Sequence, residues 1–234
     1  MTSRLKTAGL IGGIGPESTI AYYRQILAAF RERTGGASPS LLIDSIDTRI
    51  LLGFAGRGEL DALVDYIAPE LERLANAGAD FAALASNTPH LVFDRLAARS
   101  PIPLLSIVEA TADAIAALGL RAVALFGTKF TMQAGFYDAV LSPRGVQVIL
   151  PSEEEQNYIH DKYMNELLAN IFSDETHRRI LAIVDDLRRR ANIEAVILGG
   201  TELPLLITDR EHNGVQFLDT TRIHVARIVE ELLS

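Results

Sequence analysis

The sequence predicts an α/β fold in which strands and helices alternate from one end of the chain to the other. Short, nearly continuous apolar runs, typical of buried parallel strands, alternate with longer stretches whose apolar residues recur every three or four positions. The chain has 234 residues, 48% of them hydrophobic, and can bury a substantial core without disulfide or metal cross-links. Finally, two segments of the first half are repeated in the second.

Eight strands and several amphipathic helices are predicted in this alternation. The stretch Glu59–Ala77 is one such helix, in which Pro69 is expected to introduce a kink or a break. The stretch from Thr220 to Leu233 is predicted to be the last helix. The predicted strands are Ala8–Gly12, Leu41–Ile46, Phe81–Ala85, Leu104–Ile107, Ala122–Phe126, Val146–Leu150, Ala195–Leu198 and Gln216–Leu218.

The internal repeat predicts two similar subdomains. GLIGGIGP matches ALFGTKFT, and ADFAALASNTPH matches IEAVILGGTELP. The spacing within the two halves agrees, since 74 residues separate Gly12 from Ser86 and 73 separate Gly127 from Gly200. We predict a first subdomain of residues 1–106 plus about 208–234, and a second of residues 107–207.

Composition excludes several classes of function. The chain has 30 acidic and 22 basic residues, a net charge of -8 and no basic stripe, which argues against nucleic acid as a partner. No apolar stretch approaches the roughly 20 residues of a membrane span, and no signal peptide is recognised, so a cytoplasmic protein is expected. With no cysteine and no metal-binding spacing among the five histidines, neither a thiolate nor a histidine metal site is predicted.

Polar residues follow two strands that correspond in the repeat. Ser86–Thr88 and Gly200–Glu202, named here the first and second strand-end segments, each follow a buried strand directly. Ligands of α/β proteins bind at the carboxyl ends of strands, so both segments are candidate site residues, although Asn and Thr are also ordinary helix caps. His90 lies nearby and either packs or contacts substrate. No G-x-S-x-G elbow surrounds Ser86, which argues against a serine hydrolase.

The glycine-rich segment before the first helix allows two interpretations. It lacks both the Gly-Lys-Ser/Thr of a phosphate loop and the G-x-G-x-x-G spacing of a dinucleotide fold. The glycines around Gly13 either simply start the helix or offer N–H groups to a substrate carboxylate.

Six segments together resemble the aspartate/glutamate racemase family across nearly the whole chain. They are GLIGGIGPESTIAYY, LASNTPH, LFGTKFTMQAGFY, YIHDKYMNEL, VILGGTELPLLI and FLDTTRIHV. The resemblance implies two α/β subdomains related by a pseudo-twofold axis, with the active site in the cleft between them. It also implies catalysis without pyridoxal phosphate or metal, a small acidic amino acid or related carboxylic acid as ligand, and a homodimer.

Two positions depart from the family pattern. The family has one cysteine in a C-N-T sequence and another in G-C-T-E, where this chain has Ser86 and Gly200. Racemisation needs acid/base groups on both faces of Cα, and cysteine suits this role because its pKa is about 8.5. The two-thiol mechanism is therefore excluded here, while restoring both cysteines is expected to create racemase activity.

The remaining site residues are assigned by the resemblance. Arg49 either pairs with the side-chain carboxylate of the substrate or is a surface arginine. Glu202 accepts a hydrogen bond from the substrate ammonium, acts as a base, or caps a helix. The resemblance implies that carboxylate and amino groups are held by Asn87, Thr88, Thr128, Thr131 and Thr201.

Three hypotheses follow. The first is an amino-acid racemase or related isomerase in which Ser86, with Glu202 or His90, replaces the thiols. The second is a lyase or decarboxylase, since such relatives need only one protonating group. The third is a non-catalytic protein that binds a small carboxylic acid.

Overall fold

The computed structural model describes residues 5–234, which form two compact units. Within the described residues, the first unit comprises residues 5–110 and Thr221–Ser234, and the second comprises Thr111–Thr220. Each unit contains a mainly parallel sheet flanked by helices, which confirms the α/β prediction.

The described residues contain the following elements. The strands are β1 (Thr7–Gly12), β2 (Ser40–Ser45), β3 (Phe81–Leu84), β4 (Leu104–Leu105), β5 (Ala122–Gly127), β6 (Gln147–Ile149), β7 (Ala195–Gly199), β8 (Glu211–His212) and β9 (Val215–Asp219). The α-helices are α1 (Pro16–Thr34), α2 (Thr48–Arg57), α3 (Leu60–Asn76), α4 (Phe93–Arg99), α5 (Ile107–Leu118), α6 (Lys129–Gln133), α7 (Phe136–Leu141), α8 (Glu153–Asn165), α9 (Asp174–Ala191), α10 (Leu203–Leu206) and α11 (Thr220–Leu232). Short 3₁₀ turns span Thr88–Val92, Ser142–Arg144 and Leu167–Ala169.

The first unit is built on a four-stranded parallel sheet in the order β2-β1-β3-β4. All four residues of β3 and the last five of β1 are buried, because helices cover both faces of the sheet. One face packs on α3 and its neighbours. The other face packs on α1 and α11, where Phe30 contributes to the same apolar cluster as Val225 and Ile228.

The second unit is built on a five-stranded sheet in the order β6-β5-β7-β9-β8. All neighbours are parallel except the β8–β9 pair. At the carboxyl ends of the two central strands, Gly127 lies opposite Gly199. A Cβ on Gly127 would lie 2.7 Å from the carbonyl oxygen of Gly199. Glycine is therefore required where these strands end.

The structure differs from the sequence-based expectation in the segment after about residue 208. The prediction grouped residues from about 208 onward with the first unit, but β9 pairs with β7 and belongs to the second sheet. Only α11 packs within the first unit. The two-residue strand β8 was not predicted, although the Asn213-Gly214 turn that joins it to β9 has the positive φ angles typical of a hairpin. Pro69 lies inside α3 without ending it.

No helix in residues 5–234 is both long enough and apolar enough to cross a membrane.

Candidate active site

The glycine turn after β1 is held by hydrogen bonds to neighbouring side chains. Gly13 has a φ of 83°, and a Cβ there would lie 2.2 Å from the carbonyl oxygen of Ile46, so only glycine fits. Its N–H donates to Oγ1 of Thr19 at 2.8 Å, and its carbonyl accepts from the hydroxyl of Thr48. Binding of a substrate carboxylate by the N–H of Gly13 would therefore require the bond to Thr19 to be exchanged.

This geometry predicts that Thr19 stabilises the turn. Thr19→Val keeps the side-chain shape but leaves the N–H of Gly13 without its acceptor, so we expect a loss of about 1–3 kcal/mol in the free energy of unfolding. Urea denaturation measures the change. Thr34→Val is the matched control in the same helix region, because its hydroxyl only donates to the carbonyl of Phe30; an equal loss in both variants would contradict the assignment.

The first strand-end segment is buried at the carboxyl end of β3. Ser86, Asn87 and Thr88 are 6%, 2% and 4% exposed. Asn87 precedes the 3₁₀ turn Thr88–Val92, and its carbonyl accepts from the N–H of His90 at 3.0 Å. The segment thus turns sharply from a buried strand into a short helix, as the sequence predicts.

His90 is bound to the main chain through both ring nitrogens. The N–H of Ile107 donates to Nε2 at 3.2 Å, so Nε2 is the acceptor and Nδ1 carries the proton, which it donates to the carbonyl oxygen of Ser86, 3.1 Å away. Burial lowers the pKa of His90 to about 4, while hydrogen bonds to the carbonyls of Ser86 and Asn87 oppose that shift. His90 therefore fixes the position of Ser86 as a neutral ring and is not placed to act as a base.

Arg49 lies at the start of α2 and points into solvent. Its side chain is 90% exposed, and its guanidinium donates from Nε and Nη2 to the carboxylate of Asp47. Hydrogen bonding to Arg49 lowers the pKa of Asp47. A substrate carboxylate would have to replace Asp47 as the partner of Arg49.

The loop after β5 places polar residues at the carboxyl end of that strand in the second unit. Thr128 caps α6, accepting from the N–H of Thr131 at 3.2 Å, and the two hydroxyls are also 3.2 Å apart. The N–H of Lys129 donates to Nδ1 of His160 at 3.2 Å, so the ring proton of neutral His160 is on Nε2. Burial first, and then Lys129, lower the pKa of His160.

Gly200 in the second strand-end segment is covered by the ring of Tyr163 from α8. An added Cβ on Gly200 would lie 2.3 Å from Cε2, 2.9 Å from Cζ and 3.0 Å from the hydroxyl oxygen of Tyr163. The φ angle of Gly200 lies outside the left-handed region, so its backbone would accept any residue. The space for a side chain at residue 200 is instead filled by Tyr163.

Glu202 is buried beside this tyrosine. Its side chain is 3% exposed, and its Oε2 accepts from the hydroxyl of Tyr163 and, at 2.9 Å, from the hydroxyl of Thr201. Burial, followed by the charge of Glu202, raises the pKa of Tyr163 well above its ordinary value. The second strand-end segment therefore presents a neutral phenol, a carboxylate and a threonine hydroxyl in one hydrogen-bonded cluster.

Sequence reasoning identified both strand-end segments but missed Tyr163. The available signal was YIHDKY on an amphipathic helix, which places His160 and Tyr163 one turn apart on the same face. Helical periodicity alone gave no indication that this face packs against the loops after β5 and β7. Among residues 5–234, no group of three or more His, Asp or Glu side chains is arranged to hold a metal ion.

Comparison with known proteins agrees with this architecture. An aspartate racemase homologue from Pyrococcus horikoshii OT3 is 33% identical in sequence, with a TM-score of 0.83 over 98% of this chain and 100% of that one. The aspartate racemase of Picrophilus torridus, 19% identical, shares the fold with a TM-score of 0.78 over 97% of this chain and 94% of its own. The broad specificity amino-acid racemase RacX of Bacillus subtilis is 29% identical over 168 residues, or 70% of each chain. The Asp/Glu/hydantoin racemase family profile matches residues 11–228, and the chain belongs to this family.

Proposed function

We propose that the protein catalyses proton transfer at Cα of a small acidic amino acid or a closely related carboxylic acid, without pyridoxal phosphate or a metal ion. The observation that carries this proposal is the pair of buried strand-end segments on the central strands of the two units. By the sequence resemblance they correspond to the positions of the two family cysteines, and the chain belongs to a racemase family.

The substrate class is supported by the kind of donors at these strand ends. Hydroxyl and amide groups predominate, from Asn87, Thr88, Thr128, Thr131 and Thr201, and such groups bind carboxylate and ammonium groups at the same time. Two relatives add support, since one is named a broad specificity amino-acid racemase and another an aspartate racemase homologue. Arg49 would bind a second carboxylate if that group displaced Asp47.

Ser86 and Glu202 are proposed to supply the chemistry that the two thiols supply elsewhere in the family. Glu202 is a carboxylate that accepts hydrogen bonds from two hydroxyls and is proposed to take up the proton in the second unit. The main chain of Ser86 is anchored by His90, and the hydroxyl of Ser86 is proposed to be the acid/base group of the first unit. Such positioned groups contribute about 10² to 10⁴-fold each to proton transfer.

The direct test is proton NMR of L- and D-aspartate and L- and D-glutamate in D₂O with the protein, followed by chiral analysis. We expect loss of the Cα–H signal together with inversion for at least one pair. Thr88→Val, purified in the same way, is the control for contaminating racemases and should bind substrate poorly. Complete retention of the Cα–H signal with all four acids would contradict the proposal, and binding without exchange would favour a carboxylic-acid-binding protein instead.

We also propose that the protein works as a cytoplasmic homodimer with no nucleic-acid or membrane partner. The family resemblance supports the dimer, and the net charge of -8 argues against nucleic acid. Light scattering coupled to size-exclusion chromatography tests the dimer, for which a mass of one 25.5 kDa chain would be the contradicting result.

A further inference from the structure

The second unit contains an acid/base cluster that takes the place of the missing cysteine side chain at residue 200. This inference rests on the proposed function. We propose that the Tyr163 hydroxyl exchanges a proton with the substrate Cα in this unit and that Glu202 takes up the phenolic proton. The catalytic role thus passes from the thiol of the family to a phenol contributed by α8.

The first argument is the position of the phenol. Its oxygen lies 3.0 Å from where the Cβ of residue 200 would stand, and two of its ring carbons lie within 2.9 Å of that point. A thiol on residue 200 would extend from this same Cβ, so the hydroxyl occupies the neighbourhood from which the family cysteine works. Because the φ angle of Gly200 is not in the left-handed region, backbone conformation does not explain the glycine, whereas the tyrosine does.

The second argument is the hydrogen bonding of the phenol. Tyr163 donates to a buried carboxylate that also accepts from Thr201, so its hydroxyl is bonded directly to a group that can take up a proton. A hydrogen bond from the main chain of Glu202 favours negative charge on the phenolic oxygen, although burial and the Glu202 charge raise the pKa of Tyr163 overall. The resting state is therefore a phenol whose proton is already directed to Glu202.

The third argument is that this arrangement allows proton transfer without a free tyrosinate. As the Cα–H bond breaks, its proton forms a new O–H bond with the Tyr163 oxygen, while the original phenolic proton moves to Oε2 of Glu202. The electron pair of the broken bond stays on Cα and is delocalised into the substrate carboxylate. The reverse step returns a proton from Tyr163 to carbon as Glu202 returns its proton to the phenol, so no other reactant is consumed.

Tyr163→Phe and Glu202→Gln test this relay. Phenylalanine keeps the ring that fills the space over Gly200 and removes only the hydroxyl, while glutamine keeps the size of Glu202 but cannot take up the proton. Because one group serves one face of Cα, both variants should lose Cα–H washout from one enantiomer by at least about 100-fold. Washout from the other enantiomer, with retention, should persist, and ligand-induced thermal stabilisation should change little.

Tyr158→Phe is the matched control on the same helix. The ring of Tyr158 lies under the cations of Lys162 and Arg179, so this variant should exchange both enantiomers at the wild-type rate. Wild-type washout from both enantiomers in a folded Tyr163→Phe protein would overturn the relay and leave the proposed function standing. Absence of washout in the wild-type protein with every acid would overturn the proposed function and the relay together.

Discussion

Acidification from pH 7 to pH 4 is expected to lower the free energy of unfolding by about 6 kcal/mol through two buried histidines of the first unit. Burial lowers the pKa of His90 to about 4 and that of His224 to about 3, against an ordinary value of about 6.5. Below pH 6.5 the unfolded chain binds a proton at each ring, whereas the native chain does not, so stability is full above pH 6.5 and falls towards the native pKa values. Each ring contributes about 3 kcal/mol by pH 4.

Burial is the main reason why the native state keeps both rings neutral, and the surroundings of each ring add to it. Protonation of His90 would place an N–H on Nε2 facing the N–H of Ile107, which is now its donor. His224 is 0% exposed, with Nδ1 3.0 Å from the hydroxyl of Tyr22. After burial, the charge of neighbouring His90 is the next cause that lowers its pKa. Since typical domains are stable by about 5–15 kcal/mol, protonating both rings removes a large share of the total.

Urea denaturation at pH 7, 6, 5 and 4 measures this effect. His90→Asn and His224→Asn should each reduce the slope of stability against pH between pH 6 and pH 4.5 by about 1.4 kcal/mol per pH unit, the value for one proton. His177→Gln, at a half-buried position on α9 outside this network, controls for the loss of a histidine. A slope unchanged in either asparagine variant would show that the corresponding ring does not couple folding to pH.

The sequence predicted those features that depend on local pattern. Continuous apolar runs predicted the buried strands β1, β3, β5 and β7, because strands covered on both faces have no polar positions. The internal repeat then directed attention to two strand ends that the structure shows to be buried and polar. The missed features depend on residues that are distant in sequence. Pairing of β9 with β7 decided the unit to which it belongs, and neither the apolar pattern nor the spacing specifies a strand's neighbour.

The same limit applies to the candidate site. His90 was left between packing and substrate contact, and only the N–H of Ile107, 17 residues away, determines the ring proton. The resemblance predicted a cysteine position at Gly200, but the residue that leaves no room for a side chain there, Tyr163, lies 37 residues earlier in the sequence. The space beside Gly200 is filled by a side chain that is distant in sequence, and the sequence pattern around Gly200 does not reveal which one.

Gly200→Cys alone is expected to destabilise the protein by about 3 kcal/mol or more. Its Cβ would overlap the ring of Tyr163, and overpacking costs about 1–3 kcal/mol. Displacing the ring also breaks the hydrogen bond to Glu202, and bonds to charged groups are worth about 1.5–3 kcal/mol. In a Tyr163→Ala background the same substitution should cost less than about 1 kcal/mol, because the ring that it would overlap is absent. The cost of Tyr163→Ala itself is common to both proteins compared and cancels in the double-mutant cycle.

Gly53→Ala is the control for adding a Cβ to a glycine. The nearest neighbour of Gly53 is the flexible end of Arg57, so this variant should be stabilised by about 0.5–1 kcal/mol.

This coupling changes what restoring the thiols requires. Ser86→Cys with Gly200→Cys, which the family pattern alone predicts to be sufficient, leaves Tyr163 in the space of the second thiol. We therefore expect two-thiol racemase activity only when Tyr163→Ala is added, measured as inversion of aspartate or glutamate that a thiol-alkylating reagent abolishes. Equal alkylation-sensitive activity in the double and triple variants would mean that Tyr163 moves aside at little cost. In that case the steric coupling in the unfolding cycle should also be near zero, so the kinetic and thermodynamic measurements check each other.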